Sequence, residues 1–214
     1  MALQVIDIDT VQPNGKKGDP ARLMAQKING NFAELYARGF AASGVYAARP
    51  AAAQNKGLGY FATDVQETYI SDGTAWRVMP SGGSELGFAQ MGSVFSTSST
   101  TLVDVPGMAV SCRVGERPIV ASFGGLMTTS GDFSRLYLLC DGVKVANILS
   151  PNPVGKGGAS DQYNTRWREA RVAGLTPGRS YLFKLQLMVL GTGNANLYGN
   201  ASDGDYAHLQ VRTA

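Results

Sequence analysis

Charge is scarce in this chain: Asp, Glu, Lys and Arg make up only 16% of its 214 residues. The net charge of +3 is small, and no Lys/Arg cluster forms the basic stripe that grips nucleic acid. No apolar run approaches the roughly 18 residues needed for a membrane-spanning helix. The first residues, MALQVIDIDT, place acids where a signal peptide carries cations, so the expected place of synthesis and residence is the cytoplasm. His208 is the one histidine. With no Cys/His set there is no zinc site, and with no G-x-S-x-G a Ser–His–acid triad has no prepared serine. Cys112 and Cys140 each fall within an apolar alternation and read as buried free thiols, small hydrophobes in effect.

Other chemical motifs fail on spacing. Gly155-Lys156-Gly157-Gly158 hints at a phosphate loop, but the position after the lysine, which needs Ser or Thr, holds Gly157. Asp203-Gly204-Asp205, near Asn200, offers oxygen ligands for Ca²⁺ yet lacks the twelve-residue loop and closing Glu; a plain turn is the simpler reading. Asp7 and Asp9 share one face of a segment with no cleft. The expectation is a non-enzyme, with no catalytic, cofactor or metal residues. Carboxylate pairs able to cleave glycosides keep a glycan-cleaving enzyme as an alternative.

What the chain does have is turns and strands. Glycine is abundant, at 27 residues, as suits a β-rich protein. Between Val45 and Val78, Leu58–Thr63, Glu67–Ser71 and Ala75–Met79 read as a three-stranded meander, its second turn Asp72-Gly73. Such a unit is too small to be stable alone. Phe61, Tyr69 and Trp76 are its expected core; Tyr46, Tyr60, Tyr69 and Trp76 as interface aromatics are the sharper alternative.

Upstream, residues 1–18 read as an extended arm with an aliphatic edge (Leu3, Val5, Ile6, Ile8). Asp19-Pro20 signals a helix start. Met24, Ile28, Phe32 and Leu35 then share one face of a helix from Pro20 to Ala37, about 27 Å long. This helix either packs on its own domain or on copies of itself. Gly39–Ser43 reads as a hinge-like break, and Pro80–Ser84 as a flexible linker. The expected divisions are 1–43 arm and helix, 44–80 meander, 81–84 linker and 85–214 a C-terminal domain.

From Glu85 onward nearly every segment reads as strand: Phe88–Phe95, Thr101–Val105, Met108–Val114, Pro118–Thr128, Leu136–Cys140, Val143–Leu149, Tyr163–Val172, Ser180–Leu190, Asn194–Tyr198 and Tyr206–Arg212. Turns are expected at Pro106-Gly107, Asp141-Gly142 and Leu175–Gly178. So many short antiparallel strands make a β-sandwich or jelly roll. The loops 150–162 and 199–205 suit recognition at a sandwich end, with Lys156, Asp161, Asn200, Asp203 and Asp205 as candidate receptor contacts. Arg166, Arg168, Glu169 and Arg171 crowd one strand. A rim of exposed ion pairs is their simplest reading, anion or sugar binding the sharper one.

Three patterns carry a resemblance. Arg49-Pro50-Ala51-Ala52, Gly59-Tyr60-Phe61-Ala62-Thr63-Asp64 and Tyr69-x-Ser71-Asp72-Gly73-x-x-Trp76 resemble a small module of tail fibres and other virion surface proteins of tailed bacteriophages. Gly18-Asp19-Pro20, Lys27-Ile28-Asn29 and Asn31–Tyr36 are similar to an N-terminal segment of the same proteins. Gly174–Gly178 through His208–Val211 looks like the closing strands of tumour-necrosis-factor-like jelly rolls, which form compact trimers. The resemblance implies a homotrimeric structural protein, made in the host cytoplasm and destined for the virion. It would be a short tail fibre or receptor-binding tip, with a bacterial surface glycan or protein and other virion proteins as partners. A capsid decoration or head-fibre protein is the close alternative. Val5, Ile8, Met24, Ile28, Phe32 and Leu35 would make the anchoring or trimer contacts.

Overall fold

A computed structural model describes residues 6–39, 42–130, 133–149, 164–199 and 207–214. Among the described residues the chain is mainly β with one α-helix, and it divides into two compact units, Met1–Thr63 with Glu67–Met79, and Asp64–Gln66 with Pro80–Ala214.

The first unit opens on a closed turn rather than an extended arm. Val11 bridges Lys17, and Gly18 N–H donates to Thr10 O at 2.9 Å. Gly18, at φ 83°, lies so close to the backbone of Asp7 and Ile8 that any Cβ would meet it at 3.0 Å. Asp19 carboxylate ties this turn to the helix, accepting from Asp7 N–H at 2.9 Å and Lys27 Nζ at 2.6 Å. Those bonds hold its pKa below the ordinary carboxylate value. Helix α1 (Ala21–Gly39) follows. Strand β1 (Ala42–Gly44) occupies part of the expected hinge and pairs in parallel with β2 (Gly59–Ala62). Strands β3 (Glu67–Ser71) and β4 (Trp76–Val78) complete a four-stranded sheet in the order β1-β2-β3-β4. The expected meander is thus present, with a fourth strand added from upstream. A parallel partner leaves no local turn signal, because it needs a long crossover rather than a hairpin.

The second unit is an antiparallel β-sandwich. Its strands are β5 (Glu85–Gln90), β6 (Phe95–Thr97), β7 (Val103–Arg113), β8 (Ile119–Thr129), β9 (Phe133–Cys140), β10 (Val143–Leu149), β11 (Asn164–Val172), β12 (Ser180–Leu190), β13 (Ala195–Tyr198) and β14 (His208–Thr213). One sheet has the order β10-β9-β12-β7. In the other, β11 pairs one edge of β8 over Ile119–Met127. Both β13 and β14 lie on the opposite edge of β8, Tyr198 opposite Leu126 and His208 opposite Gly124. They are therefore one strand line, interrupted between 199 and 207. β5 and β6 form a second interrupted line beside them, where a single strand Phe88–Phe95 was expected. Each sheet is thus four strand lines wide, and the sandwich is jelly-roll-like.

The alternation read in Ser180–Leu190 holds: Tyr181, Phe183, Leu185, Leu187 and Val189 all point inward. They meet Phe123, Met127, Leu209 and Val211 from the facing sheet. The hairpin at Asp141-Gly142 forms as expected, both residues at positive φ (47° and 81°) as a two-residue turn of this type requires. Pro106-Gly107 does not turn the chain. β7 runs through it as one strand, and the four residues from Val105 to Met108 face Leu185 alone. A proline cannot donate to a ladder, and Gly107 at φ 73° absorbs the distortion. The linker expected to be flexible is pinned: Arg117 donates to Ser81 O at 2.6 Å and Gly82 O at 3.0 Å, and Ser84 N–H to Thr213 Oγ1 at 2.8 Å.

Candidate functional site

The outward face of the sheet containing β8 carries an aromatic row. Residues in register across the sheet stand side by side, about 4.8 Å apart. One such row reads Trp167, Gly124, His208 and Gln90 from β11 to β5. Gly124 has no side chain, so the indole and imidazole close over it. Their rings stack at 4.1 Å between centroids, 23° apart. Phe88, in the next row opposite Gln210, is tilted towards His208 at 5.8 Å and 31°. Trp167 remains 44% exposed and Phe88 50%, although buried aromatics normally account for most of a core's apolar area.

Hydrogen-bonding groups border these rings. The next rows hold Glu169, Ser122 and Gln210, then Arg171, Val120 and Arg212. Arg212 Nη2 pairs with Glu169 Oε1 at 2.9 Å, and Gln210 Nε2 donates to Glu85 Oε2 at 2.6 Å. Among the described residues of this face, Glu85 and Glu169 balance Arg171 and Arg212. On the outer face of the second sheet, long polar chains cover the aromatic instead. Lys144 Nζ lies 4.6 Å over Tyr137, and Lys184 and Gln186 both bind Asp104.

The motif residues of the first unit have structural duties. The Arg49 guanidinium stacks on Tyr46 at 3.9 Å and Tyr69 at 4.3 Å. Trp76 Nε1 donates to Pro50 O at 2.8 Å, and Ser71 Oγ to Ala52 O at 2.8 Å. Asp72 accepts from Thr74, Ala75 and Arg77. The Thr74 hydroxyl first, then the Ala75 N–H, drive its pKa well below the carboxylate range. Tyr60 and Tyr69 are the buried aromatics, whereas Phe61 and Trp76 are only half-buried. The expected core is corrected in that respect: Trp76 reaches outward to tie down the Pro50 segment, with its ring tilted against Tyr60 at 5.8 Å.

Of the expected contact residues, Ile8 is 72% exposed. Met24 and Phe32 are exposed on α1, and Ile28 is half-buried. Val5, the Leu35 side chain, Lys156, Asp161, Asn200, Asp203 and Asp205 lie outside the described residues. His208 and Glu169 come together on the aromatic face, and Arg168 turns aside to Asn147 O at 2.7 Å. Trp167 is the residue that sequence reasoning missed. Its only signal is a tryptophan flanked by charge in a strand with no clean alternation. Cys112 and Cys140 are buried free thiols. Burial, with the neighbouring Cys140 second, pushes the Cys112 thiol up to about 11.

Among the described residues, no group of three His, Cys, Asp or Glu side chains could hold a metal ion. Nor is any helix among the described residues long and apolar enough to cross a membrane.

No family model matches this chain, and no curated protein does. Among solved structures it is similar to Eiger TNF from S. frugiperda, at 9% identity and a TM-score of 0.39 over 61% of this chain and 94% of that one. It is also similar to a Paenibacillus sp. cycloisomaltooligosaccharide glucanotransferase complexed with cycloisomaltoheptaose, at 16% identity and a TM-score of 0.21 over 63% of this chain and 18% of that one. Neither similarity bears on what this chain does.

Proposed function

We propose that this chain is a structural protein of a tailed-phage virion, a short trimeric tail fibre or receptor-binding tip that contacts the bacterial surface without cleaving it. The observation that carries the reading is the face of α1. Met24 is 40% exposed and Phe32 54% in their own chain, and Ile28 is only half-buried. A stripe of this kind is covered in a working protein, and a lone helix gains most of its stability from such packing. Copies of the same helix around a threefold axis, or a docking surface on the particle, would cover it. The module and N-terminal patterns that resemble virion surface proteins support the particle setting.

Antibody–gold labelling of intact particles, with serum against residues 85–214, tests the placement. Label at the distal end of the tail is the expected result. Label scattered over the head would make the chain a decoration or head-fibre protein, and unlabelled particles would end the virion reading. Turnover of host polysaccharide by the purified protein would overturn the non-enzymatic assignment.

A further inference from the structure

We infer that the outward indole face of Trp167, backed by His208 and Phe88, is a stacking platform for a pyranose ring of a neutral saccharide. The inference rests on the reading of the chain as a surface-contacting protein and names the chemistry of that contact. Among the described residues β11 pairs with β8 alone. The imidazole stacks on the indole at 4.1 Å, and 44% of Trp167 stays exposed.

Three features select a saccharide. Sugar rings present an apolar C–H face and a rim of hydroxyls, and so need a flat π surface beside mixed donors and acceptors. Trp167 is the π surface. Glu169, one outward position further along β11, and its partner Arg212 supply an acceptor and a donor already fixed by each other at 2.9 Å. The charges of the described residues balance, which favours neither anions nor cations. The exposed aromatic centre is also small. Two half-exposed rings offer on the order of 200 Å², against roughly 800 Å² per partner in a stable protein interface.

Preorganisation assigns His208 and Phe88 the role of positioning residues. His208 stacks on the indole and Phe88 is tilted against His208 in turn, so a ligand does not have to order the indole on binding.

The chain has two tryptophans, which makes the test internal. In a ¹⁵N spectrum of the full chain, Trp76 and Trp167 give two indole N–H resonances. Titration with a panel of neutral oligosaccharides built from glucose, galactose, mannose, rhamnose and N-acetylhexosamine should move the Trp167 resonance and leave Trp76 in place. Trp167→Ala should weaken binding about tenfold, and Trp167→Tyr should restore part of it. His208→Ala and Phe88→Ala should shift the Trp167 resonance before any saccharide is added, and weaken binding by a smaller factor; His208→Phe should recover both. If no member of the panel moves Trp167, the platform is rejected. If dilution alone moves it, and Trp167→Ala lowers the sedimenting mass, the face joins copies of this chain and the inference is again overturned. Saccharide binding by a chain absent from particles would reject the virion reading and leave the platform standing.

Discussion

Gly87 sets how closely β5 lies on the facing sheet, and replacing it should be costly in a way that a second substitution repairs. A Cβ at Gly87 would sit 2.4 Å from Val110 Cγ1, where carbon atoms at rest keep about 3.5–4.0 Å apart. Val110 is itself buried and paired with Phe183, so it has little room to yield. Gly87→Ala should therefore cost about 1–3 kcal/mol, as overpacked cores do. Val110→Ala alone removes two methyl groups from the core and should cost about 2 kcal/mol. In the double variant the new methyl occupies part of the space that Val110 vacates. The loss should fall short of the sum by about 1–3 kcal/mol. Thermal unfolding of the full chain, followed in the transition of the second unit, reads this directly, since 1 kcal/mol corresponds to about 2–4 °C at this size. Strict additivity of the two losses would refute the close approach of β5 to β7, and with it the outward presentation of Phe88 from the next position.

Four further expectations follow from contacts described above. Arg49→Ala should destabilise the first unit by about 1–2 kcal/mol, the sum of two cation–π contacts, and an unchanged unfolding curve would contradict that. Met24→Lys with Phe32→Lys should lower the sedimenting mass while leaving the circular dichroism of the sandwich intact; an unaltered mass would remove α1 from the assembly. Cys112 should resist an aromatic disulfide reagent at pH 8 until the sandwich unfolds, because its thiol titrates at about 11, and rapid labelling of the native chain would show the site to be open. The Asp72 pKa is depressed from its ordinary 3.8. Its stabilising contribution is therefore complete above that pH and lost only as pH falls through the lower folded value; a carboxyl ¹³C titration centred at or above 3.8 would refute the turn geometry.

Features encoded over a few neighbouring residues were the legible ones. Asp141-Gly142 reads as a hairpin because two consecutive residues must adopt positive φ, and few pairs do so cheaply. The alternation in Ser180–Leu190 is visible because the side-chain period of a strand is local. Pro106-Gly107 carries the same local chemistry as a turn, and only the strand opposite decides that it is a bulge. The aromatic row was hidden for a stronger reason. Trp167, His208 and Phe88 are widely separated in sequence; the first two meet because Gly124 stands opposite both, and Phe88 joins them from the neighbouring row, opposite Gln210. Register between distant strands is not written in any window of the chain. The Arg166–Arg171 segment did show charge in a strand, and the ion pair expected there exists, between Glu169 and Arg212. The exposed faces of Met24 and Phe32 look, in sequence, the same as faces buried by their own domain.

The two interrupted strand lines behave like a hem with a slit in it. Tyr198 O accepts from Ala207 N–H at 3.1 Å, so the two margins of the gap lie one hydrogen bond apart. Beside that gap Met91 N–H donates to Ala207 O at 3.0 Å, and Gly199 is so close to Met91 that a methyl group would not fit. The margins of the slit are sewn shut, whatever passes through it. Doubling the length of chain between 199 and 207 should cost only about 0.6 kcal/mol in closure entropy. Because the sheet's own hydrogen bonds hold both margins, an epitope or a tag inserted between them should leave the register of the sandwich unchanged.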